Sequence, residues 1–417
     1  MSADEPPTGD GTLVVHGASE VFTGEPGADP IENGAVVVAD GDVVAVGPTE
    51  AVTREYPVES ARQAIDATGR TVMPGFADSH THALFAGDRS DEFAAKLRGK
   101  AYQDILAEGG GILRTVRAVR EASDDDLLDA MLERLDAMCA HGTTTVEVKS
   151  GYGLDTETEL RMLDVLARAD AAHPVDVVPT FMGAHAIPED SDAETYTDRV
   201  VEEQLPAVAE QGVAEFCDVF CEEGVFSVEQ SLRVLEAGVD HGLTPKVHAE
   251  EFVRLGGAQL AAEVGATSAD HLLHATGEDA RAIAEAGVVP VFLPGTAFGL
   301  GAEYADHTAF QEAGATVAIA SDFNPNCYAP SMGFATTLAC VGMRMPPAEA
   351  VRAATHGGAL AMDRADRGTL SEGRRGDLLV VDAPSHVHVP YRFGQNVVET
   401  VVKGGTLVAE SGVVRRE

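Results

Sequence analysis

The chain has 417 residues, 45% of them hydrophobic, and carries 68 acidic against 29 basic side chains for a net charge of −39. That length exceeds one compact core of ordinary size and predicts a large domain plus a smaller one. The hydrophobic content excludes wholesale disorder, the charge excludes the basic footprint of nucleic-acid binding, and no apolar run reaches the length of a membrane span.

The N-terminal stretch MSADEPPTGDG is acidic and rich in Pro and Gly. It has neither a basic segment nor an apolar centre, so it does not read as a signal peptide and a cytoplasmic protein is expected. Five lysines occur (Lys96, Lys100, Lys149, Lys246, Lys403), so nearly all positive charge is arginine. An acidic, lysine-poor chain predicts a cytoplasm at high ionic strength, where screening makes the self-repulsion tolerable. The same field repels an anionic substrate unless local arginines reverse it. The five cysteines are odd in number and point to reduced thiols. Cys217 and Cys221 form C-x3-C without a second pair, which favours buried apolar side chains over a thiolate zinc site.

In chain order, TLVVHG, GAVVVADGDVVAVG and the segment up to IDATGRTVMPG read as short strands separated by Gly and Asp turns. The middle then alternates β-branched runs with amphipathic stretches, the mark of βα units and a parallel sheet. Eight strands are predicted, at 71–78, 143–150, 175–182, 214–220, 244–249, 266–272, 288–293 and 315–322, with helices at 124–140, 156–172, 194–211, 227–241, 255–264, 277–286 and 346–356. Pro206 should kink or divide the third of these helices. Strand patterns return in GDLLVVDAP and NVVETVVKGGTLVAESGVV. The predicted fold is α/β: a (β/α)8 TIM barrel over 71–368, with a small composite β-sandwich domain formed by the N-terminal 1–70 and the C-terminal 369–417.

The chemistry begins at VMPGFADSHTHALFAGDR, where His80 and His82 end an apolar run. Positions i and i+2 on a strand face the same way, so both imidazoles can point to one spot at the C-terminal end, where barrels build active sites. A bare His-x-His is a weak signal. Three further segments end strands the same way: KVHAEEF with His248 and Glu251, SADHLLH with His271, and AIASDFNPN with Asp322. Imidazoles and a carboxylate on one rim suit one divalent or trivalent ion, zinc or iron, that would acidify a water. A metal-dependent hydrolase is the leading expectation.

This pattern resembles the amidohydrolase superfamily, with His-x-His on strand 1, His on strands 5 and 6, and Asp on strand 8. The likeness spans almost the whole chain. It is tighter with the imidazolonepropionase family through HALFAGDR (82–89), VEVKSGYGL (146–154), FMGAHAIP (181–188), KVHAEEF (246–252), SADHLL (268–273) and SDFNPN (321–326). The resemblance implies hydrolytic opening of the ring of 4-imidazolone-5-propanoate to N-formimidoyl-L-glutamate, a step of histidine degradation. It implies His80, His82, His248 and Asp322 as metal ligands, with Glu251, His271 and Asp322 as catalytic groups. Glu251 would orient the ring and move protons, while His271 would polarise the carbonyl. Arg89 would fork onto the propanoate carboxylate. Tyr152, His185, Asn324, Asn326, Cys327 and Tyr102 would complete the substrate site. It also implies a homodimer with a small anionic substrate, and no nucleic-acid or membrane partner.

Asn326 and Cys327 depart from the family, which has Gly and a hydroxyl residue there; Asn tolerates left-handed backbone angles, so the loop shape is expected to survive. Of the adjacent Glu250 and Glu251, one is expected to be a solvated carboxylate. HVHVP holds a second His-x-His, His386 and His388, read as exposed histidines on an alternating strand. Lys149 ends strand 2, and strand 4 offers no lysine to bridge two metals, which favours one metal with Glu222 as a remote second-site candidate. The competing functions are another cyclic-amide or aminoheterocycle hydrolase on this scaffold, and a non-enzymatic assembly protein, which would have lost ligands.

Overall fold

The computed structural model describes residues 11–100, 104–105 and 109–415. Strands β1 (Thr12–Val21), β2 (Ile31–Ala39), β3 (Asp42–Pro48), β4 (Gln63–Asp66) and β5 (Thr71–Pro74) open the chain. Eight strands follow: β6 (Phe76–Asp78), β7 (Thr143–Lys149), β8 (Asp176–Ala184), β9 (Phe216–Cys221), β10 (Thr244–Ala249), β11 (Ser268–His271), β12 (Val289–Phe292) and β13 (Ala318–Ile319). Strands β14 (Leu378–Val381), β15 (Val398–Lys403), β16 (Thr406–Glu410) and β17 (Val413–Val414) end it. Two compact units emerge, one of Met1–Asp78, Asp136–Thr145 and Ser331–Glu417, the other of Ser79–Leu135 and Val146–Pro330.

Strands β6 to β13 pair in sequence order into one eight-stranded sheet, the (β/α)8 arrangement expected. Its strands read as continuous apolar runs because helices cover the outer faces; all seven residues of β7 are buried. The helices fall where their periodicity predicts, at Asp124–Ala140, Thr156–Ala172 and Gly277–Ala286. Pro206 divides its helix. Ala193–Arg199 runs into a π-helical turn, Val200–Gln204, before Leu205–Gln211 resumes. A proline lacks the amide proton and crowds the carbonyl four residues back, and a widened turn relieves both.

The terminal strands form a single nine-stranded sheet in the order β17-β16-β15-β14-β5-β1-β2-β3, with β4 added on β1. One face of the sheet packs Leu13 and Val15 of β1, Val36 and Val38 of β2, Leu378 and Val380 of β14 and Val402 of β15 into a cluster, while Val14, Ala35 and Val37 pack with Val52 and Tyr56 in a second. The composite β-domain therefore comes from both termini, as the strand pattern implies.

Two expectations change. The run 71–78 is not one strand: Thr71–Pro74 pairs with β1 and β14, and only Phe76–Asp78 enters the barrel sheet. Gly75 is the break, and a Cβ there would sit 2.3 Å from Thr144 Oγ1. HVHVP is not an exposed strand either. His388 opens a short helix (His388–Tyr391), and His386 is buried with Nδ1 2.8 Å from Glu20 Oε1. A distant carboxylate decided that outcome.

Among the described residues no helix is long and apolar enough to cross a membrane. A Cβ on Gly358 would lie 2.0 Å from the carbonyl oxygen of Ala77 in β6. Gly358→Ala should therefore destabilise the protein by about 1–3 kcal/mol through overpacking, read as a lower urea midpoint at fixed salt. An unchanged midpoint would contradict that contact.

Candidate metal centre and active site

The first and last barrel strands are joined at their C-terminal ends. Thr81 and Phe323 form a parallel bridge, Asp322 N donates to His80 O at 3.1 Å, and His82 N donates to Phe323 O at 2.9 Å. This seam sets Asp322 Oδ1 3.7 Å from His80 Nε2 and 4.0 Å from His82 Nε2. His248, near the end of β10, brings Nε2 to 3.4 Å from His82 Nε2. Ligand nitrogens of the three histidines lie within 4.8 Å of one another, and all four side chains are buried.

These residues fit a divalent metal. His80 Nε2 is buried with no hydrogen-bond partner, an arrangement costly for a polar atom unless something else binds it. Burial, reinforced by neighbouring positive groups, holds His80 and His82 well below the usual imidazole range, so both present neutral lone pairs. Burial raises the Asp322 carboxyl, against the hydrogen bonds from Thr296 and Asn324. Glu250, His271, Leu272 and Asp322 all take left-handed backbone angles without being glycine. Such strain concentrates where side chains are aimed for function.

Beneath the histidines lies a layer the motif search did not find. His80 Nδ1 is 2.6 Å from Asp270 Oδ2, and His248 Nδ1 is 3.1 Å from Asp218 Oδ2. The Asp270 hydrogen bond claims Nδ1 of His80 and leaves its Nε2 for a metal, while Asp218 stands at ion-pair distance from Nδ1 of His248. Lys149 Nζ in turn contacts Asp218 at 2.7 Å, Glu147 at 2.8 Å and Asp270 at 3.8 Å. Lys246 Nζ reaches Glu147 at 2.7 Å and the carbonyl of Ser79 at 3.1 Å. None of these five side chains is exposed. Burial pulls against the Lys149 charge, but Asp218, Glu147 and Asp270 together raise its proton affinity. The signal was present as charged residues at alternate positions in TVEVK, FCDVF, PKVH and SADH, whose period of two aims them into the barrel.

The proposed acid–base pair is adjacent. His271 Nε2 lies 3.6 Å from Glu251 Oε2. Burial, then the charges of Asp322 and Glu222, push the Glu251 carboxyl well above its ordinary range, while burial first keeps His271 neutral. Neither glutamate of the pair is solvated, contrary to expectation. Glu250 is fully buried and accepts from Leu255, Gly256 and Ala258 N–H at 2.6, 3.0 and 3.1 Å, tying down the loop after β10. Glu222 is likewise committed to backbone, accepting from Phe252 N at 2.8 Å and Glu223 N at 2.9 Å.

Tyr152 and His185 join the same cluster. The His185 ring stacks on His82 with centroids 4.7 Å apart, and Tyr152 lies 5.9 Å from His82 and 5.4 Å from His185. The GYGL loop is shaped by Glu159, which sequence reading missed; it accepts from Gly151, Gly153 and Leu154 N–H at 2.9, 2.7 and 2.9 Å.

On the strand 8 loop, Asn324 Nδ2 donates to Asp322 Oδ1 at 2.9 Å, and Asn324 Oδ1 accepts from Asn326 N at 2.7 Å and Cys327 N at 2.9 Å. Thr296, also missed, donates to the other oxygen of Asp322. The left-handed residue of this loop is Asp322, not Asn326, so the departure at 326 strains nothing. Cys327 is buried with Sγ directed at Ser321 O, 3.8 Å away. Arg89 is buried at the start of helix Ser90–Leu97 and donates from Nε to Glu92 Oε2 at 2.8 Å. Tyr102 lies outside the described residues.

Asp270→Asn should weaken metal affinity about 10- to 100-fold, because the amide no longer fixes the His80 tautomer. Competition against a chelator checks this, and an unaltered affinity would show that Asp270 does not support the ligand.

The amidohydrolase family model matches residues 86–408. Imidazolonepropionase of Haloarcula marismortui is 67% identical over 402 residues, 95% of this chain and 96% of the relative. Imidazolonepropionase of Halobacterium salinarum is 64% identical over 410 residues, covering 96% and 98%. Among solved structures, a zinc-bound adenosine deaminase from Xanthomonas campestris superposes with a TM-score of 0.77 at 20% identity, covering 99% of this chain and 96% of its own, a likeness of fold. The seam, the three histidines with Asp322, and these relatives agree: the chain belongs to the imidazolonepropionase family of amidohydrolases.

Proposed function

We propose that the chain hydrolyses 4-imidazolone-5-propanoate to N-formimidoyl-L-glutamate, a hydrolase acting on a ring carbon–nitrogen bond in histidine degradation. The observation that carries this is the convergence of His80, His82, His248 and Asp322 beside Glu251 and His271, in a chain 67% identical to an imidazolonepropionase. His80, His82, His248 and Asp322 would hold zinc or iron, which when bound supplies a water acidified to a pKa of roughly 7.

The chain's own groups do the remaining work. Asn324 and Thr296 hold the Asp322 carboxylate in place. Glu251, whose burial favours the protonated form, can deliver a proton to the departing ring nitrogen. Neutral His271 can donate to the oxygen that gains charge at the ring carbonyl. Tyr152 and the stacked His185 line the ring's position and exclude water. Arg89 spends Nε on Glu92 and keeps its two Nη groups for the substrate carboxylate, in the fork geometry that suits it.

We further infer a cytoplasmic enzyme working in concentrated salt. The net charge of −39, the scarcity of lysine, the free cysteines and the relatives in Haloarcula and Halobacterium support this. A homodimer is proposed as well, supported by the exposed Val341, Tyr391 and Phe393.

Metal analysis coupled to an ultraviolet assay of imidazolone consumption tests the reading. Asp322→Ala should abolish turnover and reduce metal content; full activity with stoichiometric metal would refute its role. Arg89→Ala should raise KM about 10- to 100-fold with little change in kcat, because the anchor is remote from the breaking bond. Dilution into low salt should unfold or inactivate the protein, and robust stability there would remove the salt inference.

A further inference from the structure

We propose that Lys96 acts beside Arg89 as a second cation for the carboxylate of the substrate, and so sets specificity for anionic over neutral ring compounds. This rests on the functional reading above. It starts from the scarcity of lysine: only five survive in a chain with 68 acidic residues. Lys149 and Lys246 are wholly buried in ion pairs, and Lys403 Nζ contacts Asp377 Oδ2 at 2.6 Å. Lys96 differs. It sits half-buried near the end of helix Ser90–Leu97, and Nζ donates to the neutral Asn326 Oδ1 at 2.8 Å. Among the described residues no carboxylate lies within ion-pair distance of it.

Its surroundings are positive. After burial, the charge of Arg89 is the largest influence lowering the proton affinity of Lys96, with Glu92 opposing it. Glu92 is already committed to Arg89 Nε at 2.8 Å and Gly111 N at 3.0 Å, with Arg114 Nη1 3.6 Å away. The ammonium of Lys96 therefore has no carboxylate in contact with it among the described residues. An incoming carboxylate supplies one, through charge-assisted hydrogen bonds in a partly desolvated place.

Lys96 is also fastened to the loop that carries Asp322. Asn326 N donates to Asn324, whose side chain holds Asp322. The ammonium is thus linked through Asn326 and Asn324 to the Asp322 carboxylate, while Arg89 immediately precedes the helix that carries it.

Steady-state kinetics of the metal-loaded protein in concentrated salt test this with two compounds, imidazolone propanoate and its neutral propanamide. Lys96→Met should raise KM for the carboxylate about 10- to 100-fold while kcat holds within about 3-fold. It should leave kcat/KM for the propanamide unchanged, and Lys96→Arg should restore most of the loss. Equal losses on both compounds would show that Lys96 only supports the Asn326 loop, and an unchanged KM would show no role; either overturns the inference. Failure of the wild-type protein to open the ring would overturn the functional reading itself, and this inference with it.

Discussion

The seam between the first and last barrel strands is the constraint on which the site depends. Asp322 is separated from His80 and His82 by most of the barrel's sequence, yet backbone hydrogen bonds between His80, His82, Asp322 and Phe323 hold the three in register. Because these are main-chain bonds, the ligand geometry is set by closure of the sheet before any metal arrives. Rigid closure reduces the ordering cost of assembling a site from distant segments. The left-handed backbone at Asp322 and His271 is the local cost of turning those side chains inward.

Below that rim the barrel breaks the usual rule that its interior is filled by branched apolar side chains. Three carboxylates and two ammoniums, all without exposure, replace part of that filling. Buried ion pairs seldom add stability over an apolar core, since desolvation offsets their attraction. Their use here is orientation. Asp270 bonds Nδ1 of His80, Asp218 stands at ion-pair distance from Nδ1 of His248, and Lys149 contacts both carboxylates in turn. The network exchanges core stability for a defined tautomer, which a metal site needs more.

Charge is distributed by the same logic. Lys96, Lys149, Lys246 and Lys403 each hold a specific partner, and several arginines nearer the surface are paired with acids, such as Arg114 with Asp91 and Arg233 with Glu194. An anionic substrate approaching such a surface is repelled at long range, so attraction must come from a few cations close to the site.

Composition and pattern alone placed seven of the eight barrel strands, three helices to the residue, the terminal β-domain and a rim of histidines and carboxylates, from which the family resemblance singled out four ligand candidates. They did so because burial imposes periodicity that a single strand or helix expresses locally. Tertiary structure decided what depends on partners far away in sequence. The run 71–78 broke at Gly75 because Thr144 leaves no room for a side chain. His386 became buried because Glu20 reaches it. Glu250 stayed out of water because three loop amides needed an acceptor. Asp218 and Asp270 acquired their roles only when neighbouring strands brought histidines alongside. Hydrophobic periodicity is written residue by residue, whereas a hydrogen-bond partner exists only once the chain has closed on itself.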